Sequence, residues 1–171
     1  MHRFFVPADW LSGGTVTVSG PLAHQMRRVL RLRPGERVVF LDNSGWECES
    51  EITAIDEKAV QAVVQRKQLG SGEPRTKITL FQSMLKGERF DYVLQKCTEI
   101  GVVEFVPVIS ERCIVGDVDQ ASERFRRWQR IITEAAEQAY RSRLPALRAP
   151  TLLSSALETA SPRGLTIIAW E

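Results

Sequence analysis

With 171 residues, 43% of them hydrophobic and 26% charged, the chain has the make-up of a globular protein and the length for one good core or two smaller ones. No run of about 18 apolar residues is present to cross a bilayer, and three cysteines without a C-x-x-C pair, beside two histidines, argue against a disulfide framework or a metal centre. The net charge is only +2, yet residues 1–34 carry five Arg against Asp9, while residues 35–74 carry eight acids against four bases. Positive charge gathered at one place fits a partner whose phosphates are met locally.

The opening "MHRFFVPADW" lacks an apolar segment of secretory length with a small-residue cleavage site, so a cytoplasmic location is expected. The first 70 residues then read as β-rich: "RFFVP", "TVTVSG", "RVVFLDNSG", "WECESEITAID" and "AVQAVVQRK" are short β-branched or aromatic runs separated by turn residues. One helix interrupts them in "PLAHQMRRVLRLRPGE", with Pro21 suited to a first turn, Leu22, Met26, Val29 and Leu30 at helical spacing, and Pro34-Gly35 as the stop. This is the pattern of a small barrel with one helix. The Gly/Ser/Pro stretch "LGSGEPRT", residues 69–76, marks the domain boundary, giving domains at 1–70 and 75–171.

Beyond it the spacing predicts strand "KITLFQSML", a helix from about Gly87 to Ile100, strand "VEFVPVIS", a long helix from about Gln120 to Arg141, a short helix near "LLSSALET" and a strand "LTIIAWE". Alternating strands and helices imply an α/β unit with a parallel sheet. A parallel strand at the centre of such a sheet needs further chain to cover it, so the α/β unit reads as unfinished at Glu171.

Several constellations can carry chemistry. In the first helix, His24, Arg27, Arg28 and Arg31 fall at i, i+3, i+4 and i+7, one basic face with no interleaved acid; a polyanion would offset its self-repulsion, although charge stripes are more commonly solvated surface. Arg3 could join this patch. In "KGERFDYVLQKCTEIGV", Phe90, Val93, Leu94, Cys97 and Ile100 make the apolar stripe, which leaves Lys86, Glu88, Arg89, Lys96 and Glu99 facing elsewhere. Lys86 and Gly87 lie where a strand hands over to a helix, the end of an α/β sheet at which ligands collect, and Glu111 and Arg112 follow the next strand at the same edge. In the long helix Phe125, Trp128, Ile132, Ala135 and Ala139 form the buried stripe and Glu134, Gln138 and Arg141 another, with Arg143 and Arg148 beyond it. Each polar set can equally be a solvated face or helix end. Neither a G-x-x-x-x-G-K-[ST] phosphate loop nor a G-x-G-x-x-G fingerprint occurs, and Cys113 has no histidine near it in sequence to make it a nucleophile.

Three segments in order, "HQMRRVLRLRPGERVVFLDNSG", "KGERFDYVLQKCTEIGVVEFVPVISERC" and "RWQRIITEAAEQAYRSRLPALRAP", resemble the RsmE-type bacterial 16S ribosomal RNA (uracil-N3) methyltransferases of the SPOUT superfamily. The resemblance covers essentially the whole chain. It implies a PUA-like RNA-binding barrel followed by a SPOUT α/β domain with a trefoil knot, S-adenosylmethionine as cofactor, 16S ribosomal RNA in the small subunit as partner, and a homodimer at full length. Family members continue past the position of Glu171 with segments like "IGPEGG" and "LGxRILRxETA" that hold the cofactor, so the knot and most of the cofactor pocket are expected outside this chain, leaving it better suited to binding RNA than to catalysis. By resemblance, Arg3, His24, Arg27, Arg28 and Arg31 fall in the RNA-binding barrel. Lys86, Glu88, Glu99, Glu111, Arg112, Glu134, Gln138, Arg141 and Arg143 fall in motifs of the catalytic domain and are candidates for the RNA cleft, while no residue is singled out as proton acceptor. A non-catalytic PUA-type RNA-binding protein and an unrelated α/β enzyme acting on a small phosphorylated molecule are the competing readings.

Overall fold

The computed structural model describes residues 1–111, 119–160 and 164–169. The chain divides into two compact units: the first comprises Met1–Glu73 and Ala136–Leu144, the second Pro74–Ala135 and Pro145–Glu171.

The first unit is built on a five-stranded sheet of β1 (His2–Phe5), β2 (Thr15–Ser19), β3 (Arg37–Leu41), β4 (Trp46–Ile55) and β5 (Ala59–Leu69), in the order β1-β3-β4-β5-β2. All pairings are antiparallel except β1 with β3. Alternation sets the faces: Val16 and Val18 of β2 are buried while Thr15, Thr17 and Ser19 are exposed. The buried side chains meet in one core with Phe4, Met26, Val38, Phe40, Cys48, Ile52 and Val60, and each large apolar side chain removed from water contributes roughly 1.5–3 kcal/mol. The β4–β5 hairpin closes on Asp56, whose carboxylate accepts the Lys58 and Ala59 amides at 2.7 Å each, the local bond that makes Asp a turn former.

The helix predicted at 21–33 is shorter and changes type. It begins as α1 (Gly20–His24) and widens into a π-helical turn over Gln25–Val29, with the Leu30 amide donating to the Gln25 carbonyl. Arg31 then takes φ 55° and lets Leu32 turn back into the core. Widening the turn breaks the i, i+3, i+4, i+7 alignment that a uniform α-helix would keep. Met26 is therefore fully buried, whereas Val29, predicted for the same stripe, is 67% exposed.

Residues 136–144 complete this unit, an attachment that sequence order does not reveal. The Phe5 amide of β1 donates to Glu137 Oε1 (2.9 Å), and the Leu144 amide donates to Asn43 Oδ1 (2.7 Å). Glu73 Oε1 accepts the amides of Ser142 (3.1 Å) and Arg143 (3.0 Å), and its Oε2 pairs with Arg141 Nη2 at 3.0 Å. The glycines of "LGSGE" are demanded by this packing: a Cβ on Gly72 would lie 2.1 Å from the Tyr140 carbonyl oxygen, and one on Gly70 2.5 Å from the Ser142 side chain.

In the second unit, β6 (Thr79–Ser83), β7 (Glu104–Ile109), β8 (Ala146–Leu147) and β9 (Thr151–Leu152) form a parallel sheet in which β7 pairs with all the others. The helices are α2 (Arg89–Glu99), α3 (Asp119–Gln138) and α4 (Leu153–Ala160). Phe90 and Leu94 of α2, Phe105 of β7, and Trp128 and Ile132 of α3 share a core, with the Phe90 and Trp128 ring centroids 4.6 Å apart. At the end of α2, Gly101 at φ 102° allows paired closing bonds, Gly101 amide to Thr98 carbonyl and Val102 amide to Cys97 carbonyl, and Val102 folds into the core.

Three sequence expectations are corrected here. Ile100 is 79% exposed, because it is the residue at which α2 stops and the chain reverses; the last buried position of α2 is Thr98. Helix α3 ends at Gln138, three residues before the predicted Arg141, since Tyr140 enters the left-handed region at φ 59°. Residues 165–169 of the predicted final strand are exposed and irregular, without the ladder hydrogen bonds that a strand requires.

Candidate nucleic-acid interface and strand-end cavity

Two groups of side chains are candidates, one in each unit. In the first unit the α1/π segment carries His24, Arg28 and Arg31 exposed and Arg27 half-buried. None of the four makes an ion pair among the described residues. Arg27 does act at a distance: its charge helps to hold the Asp56 carboxyl below the usual carboxylate range, behind the larger effect of the Lys58 and Ala59 amides. The segment thus presents guanidinium groups to solvent without internal neutralisation, an arrangement that phosphate would stabilise.

Arg3 and Arg141 are placed differently. Both are buried in ion pairs, Arg3 Nη2 with Glu47 Oε1 at 2.5 Å and Arg141 with Glu73. Arg3 also lies over the Tyr140 ring, 5.4 Å from its centroid. Burial would raise the Glu73 pKa, but hydrogen bonds and charge from Arg141, with the Arg143 and Ser142 amides, outweigh it and hold the carboxyl below its usual range. These two arginines brace the first unit.

In the second unit, a cavity of about 340 Å³ opens beyond the carboxyl end of β6, lined by Met84, Lys86, Gly87, Glu88, Phe90, Asp91, Arg124, Arg127 and Trp128 among others. Met84 donates its amide to the Val108 carbonyl, which carries the β6–β7 ladder one residue further, and the chain then turns through Gly87 at φ 67° into α2. Asp91 in the first turn of α2 pairs with Arg127 Nη2 of α3 at 2.6 Å. The floor is apolar and the rim is charged, the make-up of a ligand site with a few polar contacts.

Of the residues expected in the cleft, Lys86 and Glu88 line this cavity. Glu99 is at the far end of α2, paired with Lys96 at 2.9 Å; Glu111 is exposed just past β7; Glu134 is exposed, 3.7 Å from Arg130. Gln138, Arg141 and Arg143 pack in the first unit, not the second as their sequence position implied. Arg112 lies outside the described residues, as does Cys113. Sequence reasoning missed Arg124 and Arg127. Their i, i+3 spacing on the polar side of α3 was legible, but not that it meets the start of α2.

A family model described as "RNA methyltransferase domain" matches residues 72–171, and a second, "RNA methyltransferase PUA domain", matches residues 19–65. The chain belongs to this RNA methyltransferase family. The expected resemblance to the E-type enzymes is borne out: the chain is 30% identical over 168 residues to the ribosomal RNA small subunit methyltransferase E of Synechocystis, covering 98% of this chain and 54% of the relative. It is 27% identical over 149 residues to the Bacillus subtilis protein of the same name, covering 85% of this chain and 58% of that protein. The solved ribosomal RNA small subunit methyltransferase E from Neisseria gonorrhoeae, bound to S-adenosyl methionine, superposes with a TM-score of 0.85 at 34% identity over 92% of this chain and 65% of that one. The chain therefore spans little more than half the length of the curated relatives it matches. Among the described residues no helix is long and apolar enough to cross a membrane, and no group of three or more His, Cys, Asp and Glu side chains could hold a metal ion.

Proposed function

We propose that this chain is the RNA-binding part and the opening portion of a SPOUT-type catalytic domain of an S-adenosylmethionine-dependent methyltransferase, acting on N3 of a uridine in 16S ribosomal RNA of the small subunit, in the cytoplasm and as a homodimer at full length. The observation that carries this reading is the likeness, along nearly the whole chain, to a small-subunit methyltransferase solved with S-adenosyl methionine, taken together with an unneutralised arginine segment in the first unit.

The described residues do not themselves make a pocket suited to the cofactor. The strand-end cavity sets Lys86, Arg124 and Arg127 with Glu88 and Asp91 over an apolar floor, and Asp91 pairs with Arg127 at 2.6 Å, so a sulfonium cation meets a nearly balanced lining and gains little from it. No step of the transfer is assigned to these side chains. The charge of Lys86 suits the phosphates of RNA, as does that of Arg27, Arg28 and Arg31. N3 lies on the Watson–Crick edge, so the target base must be unpaired when it reacts, and its N3 proton must be lost. Contacts to phosphate on either side of such a base supply register without reading sequence. Arg3 and Arg141, which also belong to the resemblance, keep the first unit in the shape that displays the contacting residues.

The test has two parts. Incubated with S-adenosylmethionine and small subunits lacking the modification, the full-length protein should produce N3-methyluridine detectable by mass spectrometry; none would remove the enzymatic reading. The Arg27→Ala, Arg28→Ala double variant should bind small-subunit RNA about tenfold or more weakly and with a shallower salt dependence, each lost phosphate contact lowering the slope by roughly 0.7–0.9. An unchanged slope would remove the arginine segment from the interface.

A further inference from the structure

The first unit holds a second surface with the chemistry of an RNA contact, separate from the arginine segment in sequence; of its residues the family resemblance singles out only Arg143. It is centred on Trp46, the first residue of β4, whose side chain is 42% exposed although it is one of only four tryptophans in the chain. Its cross-strand partner in the β4–β5 ladder is Leu69, 66% exposed, and the Lys67 ammonium sits 5.7 Å from the Trp46 ring centroid. A second cation comes from the attached segment 136–144. The Arg143 guanidinium lies against Gly45, the residue before Trp46, where a Cβ would approach its Nε and Nη2 to 3.0 Å.

The local sequence is built to display this group. Gly45 adopts φ 96° and leaves room for the guanidinium. Before it, Asn43 at φ 65° accepts the Leu144 amide, while Asp42 accepts both the amide and the hydroxyl of Ser44, whose oxygen in turn accepts the Trp46 amide (3.3 Å). Two carboxylates flank Trp46 in sequence: Glu47 is buried in its pair with Arg3, and Asp42 serves the turn. Burial acts to raise the Asp42 pKa, but the Ser44 hydrogen bonds and the Lys67 charge outweigh it, so Asp42 stays ionised. Neither Lys67 nor Arg143 makes a side-chain ion pair among the described residues. An exposed indole with an apolar neighbour and two cations outside any side-chain ion pair offers a ligand apolar surface and positive charge together. A nucleobase would cover the ring, and its flanking phosphates would meet the cations.

We propose that Trp46, with Leu69, Lys67 and Arg143, is a stacking platform for one unpaired base of the RNA, holding single-stranded substrate in addition to the phosphate contacts of the arginine segment. This rests on the RNA-binding reading above. Direct binding of two probes separates the two claims: a fluorescently labelled oligouridylate of about ten nucleotides and, as an anion without bases, inorganic polyphosphate. Because stacking on one aromatic side chain is commonly worth a factor of about five to a hundred in affinity, Trp46→Ala should weaken oligouridylate binding about tenfold and leave polyphosphate binding unchanged. Trp46→Phe should restore most of the loss, which also shows that the variant surface is folded. Lys67→Ala should flatten the salt dependence for oligouridylate by roughly 0.7 in slope. Unchanged oligouridylate binding by Trp46→Ala, alongside a wild-type protein that binds it, overturns the platform and leaves the RNA reading standing. An equal loss for both probes overturns stacking in favour of a general charge effect. A wild-type protein that binds neither probe ends both proposals.

Discussion

The two units bury charge differently. In the first, two arginines are nearly inaccessible, with Arg141 only 2% exposed, and each is matched by a glutamate. In the second, the ion pairs Lys96–Glu99, Arg130–Glu134 and Arg148–Glu104 each include a side chain more than 40% exposed. Exposed pairs contribute little because water screens them, whereas a buried pair makes each partner depend on the other. The first unit therefore adds particular polar contacts, which join residues 136–144 to its sheet, to an apolar core of its own, while the second rests on a smaller apolar core around Phe90 and Trp128. Specificity of assembly and bulk burial are separate sources of stability, and the units draw on them unequally.

That contrast can be tested by changes of graded effect. The largest is expected from Phe90→Ala, which removes a buried ring packed at a tilt against Trp128 and should destabilise the second unit by about 3–5 kcal/mol. Hydrogen exchange resolved by segment should show faster opening around α2 and β7. Next, Arg141→Ala strands the Glu73 carboxylate and should destabilise the first unit by about 3 kcal/mol, seen as loss of protection in residues 136–144 and β1. If Arg141→Ala perturbs the units equally, the division of labour is wrong.

A milder perturbation is acid. Glu73 is depressed in the folded state, so the stability it contributes is complete above its unfolded value and is lost as pH falls through the lower folded value. Asp42 and Asp56, also depressed, add to the same window. Below about pH 4 the first unit should lose stability progressively, and Glu73→Gln should be less stable at neutral pH but show a flatter acid limb in denaturation curves. The smallest effect is expected from Lys96→Ala, which removes an exposed i,i+3 pair and should change stability by no more than about 0.5 kcal/mol in urea titration.

Much of the architecture was legible because it follows from local rules. The β-branched run "TVTVSG" located β2, and the helical stripe of Phe90, Leu94 and Cys97 located α2. Misreadings occurred where a local rule met a tertiary demand. Val29 and Arg31 were aligned by assuming 3.6 residues per turn, but the chain widens into a π turn that buries Met26 and returns Leu32 to the core. The candidate site was less legible still. Lys86 could be placed at a strand end from sequence order, yet nothing in the sequence distinguished a buried brace such as Arg141 from an exposed arginine such as Arg143 two residues later.

Sequence by itself determined the two-part plan, the concentration of arginine in the first 34 residues, and the family to which the chain belongs, because composition, periodicity and motif order are properties of the chain read in one dimension. Only the tertiary structure decided that residues 136–144 return to the first unit, that Arg3 and Arg141 are internal braces, that Lys67 reaches the Trp46 ring and that Arg143 lies against Gly45. Those facts depend on contacts between residues more than a hundred positions apart. Such contacts are chosen by what the whole fold must satisfy, including the charge of Glu73 and the space left by Gly70 and Gly72, and no local pattern encodes them.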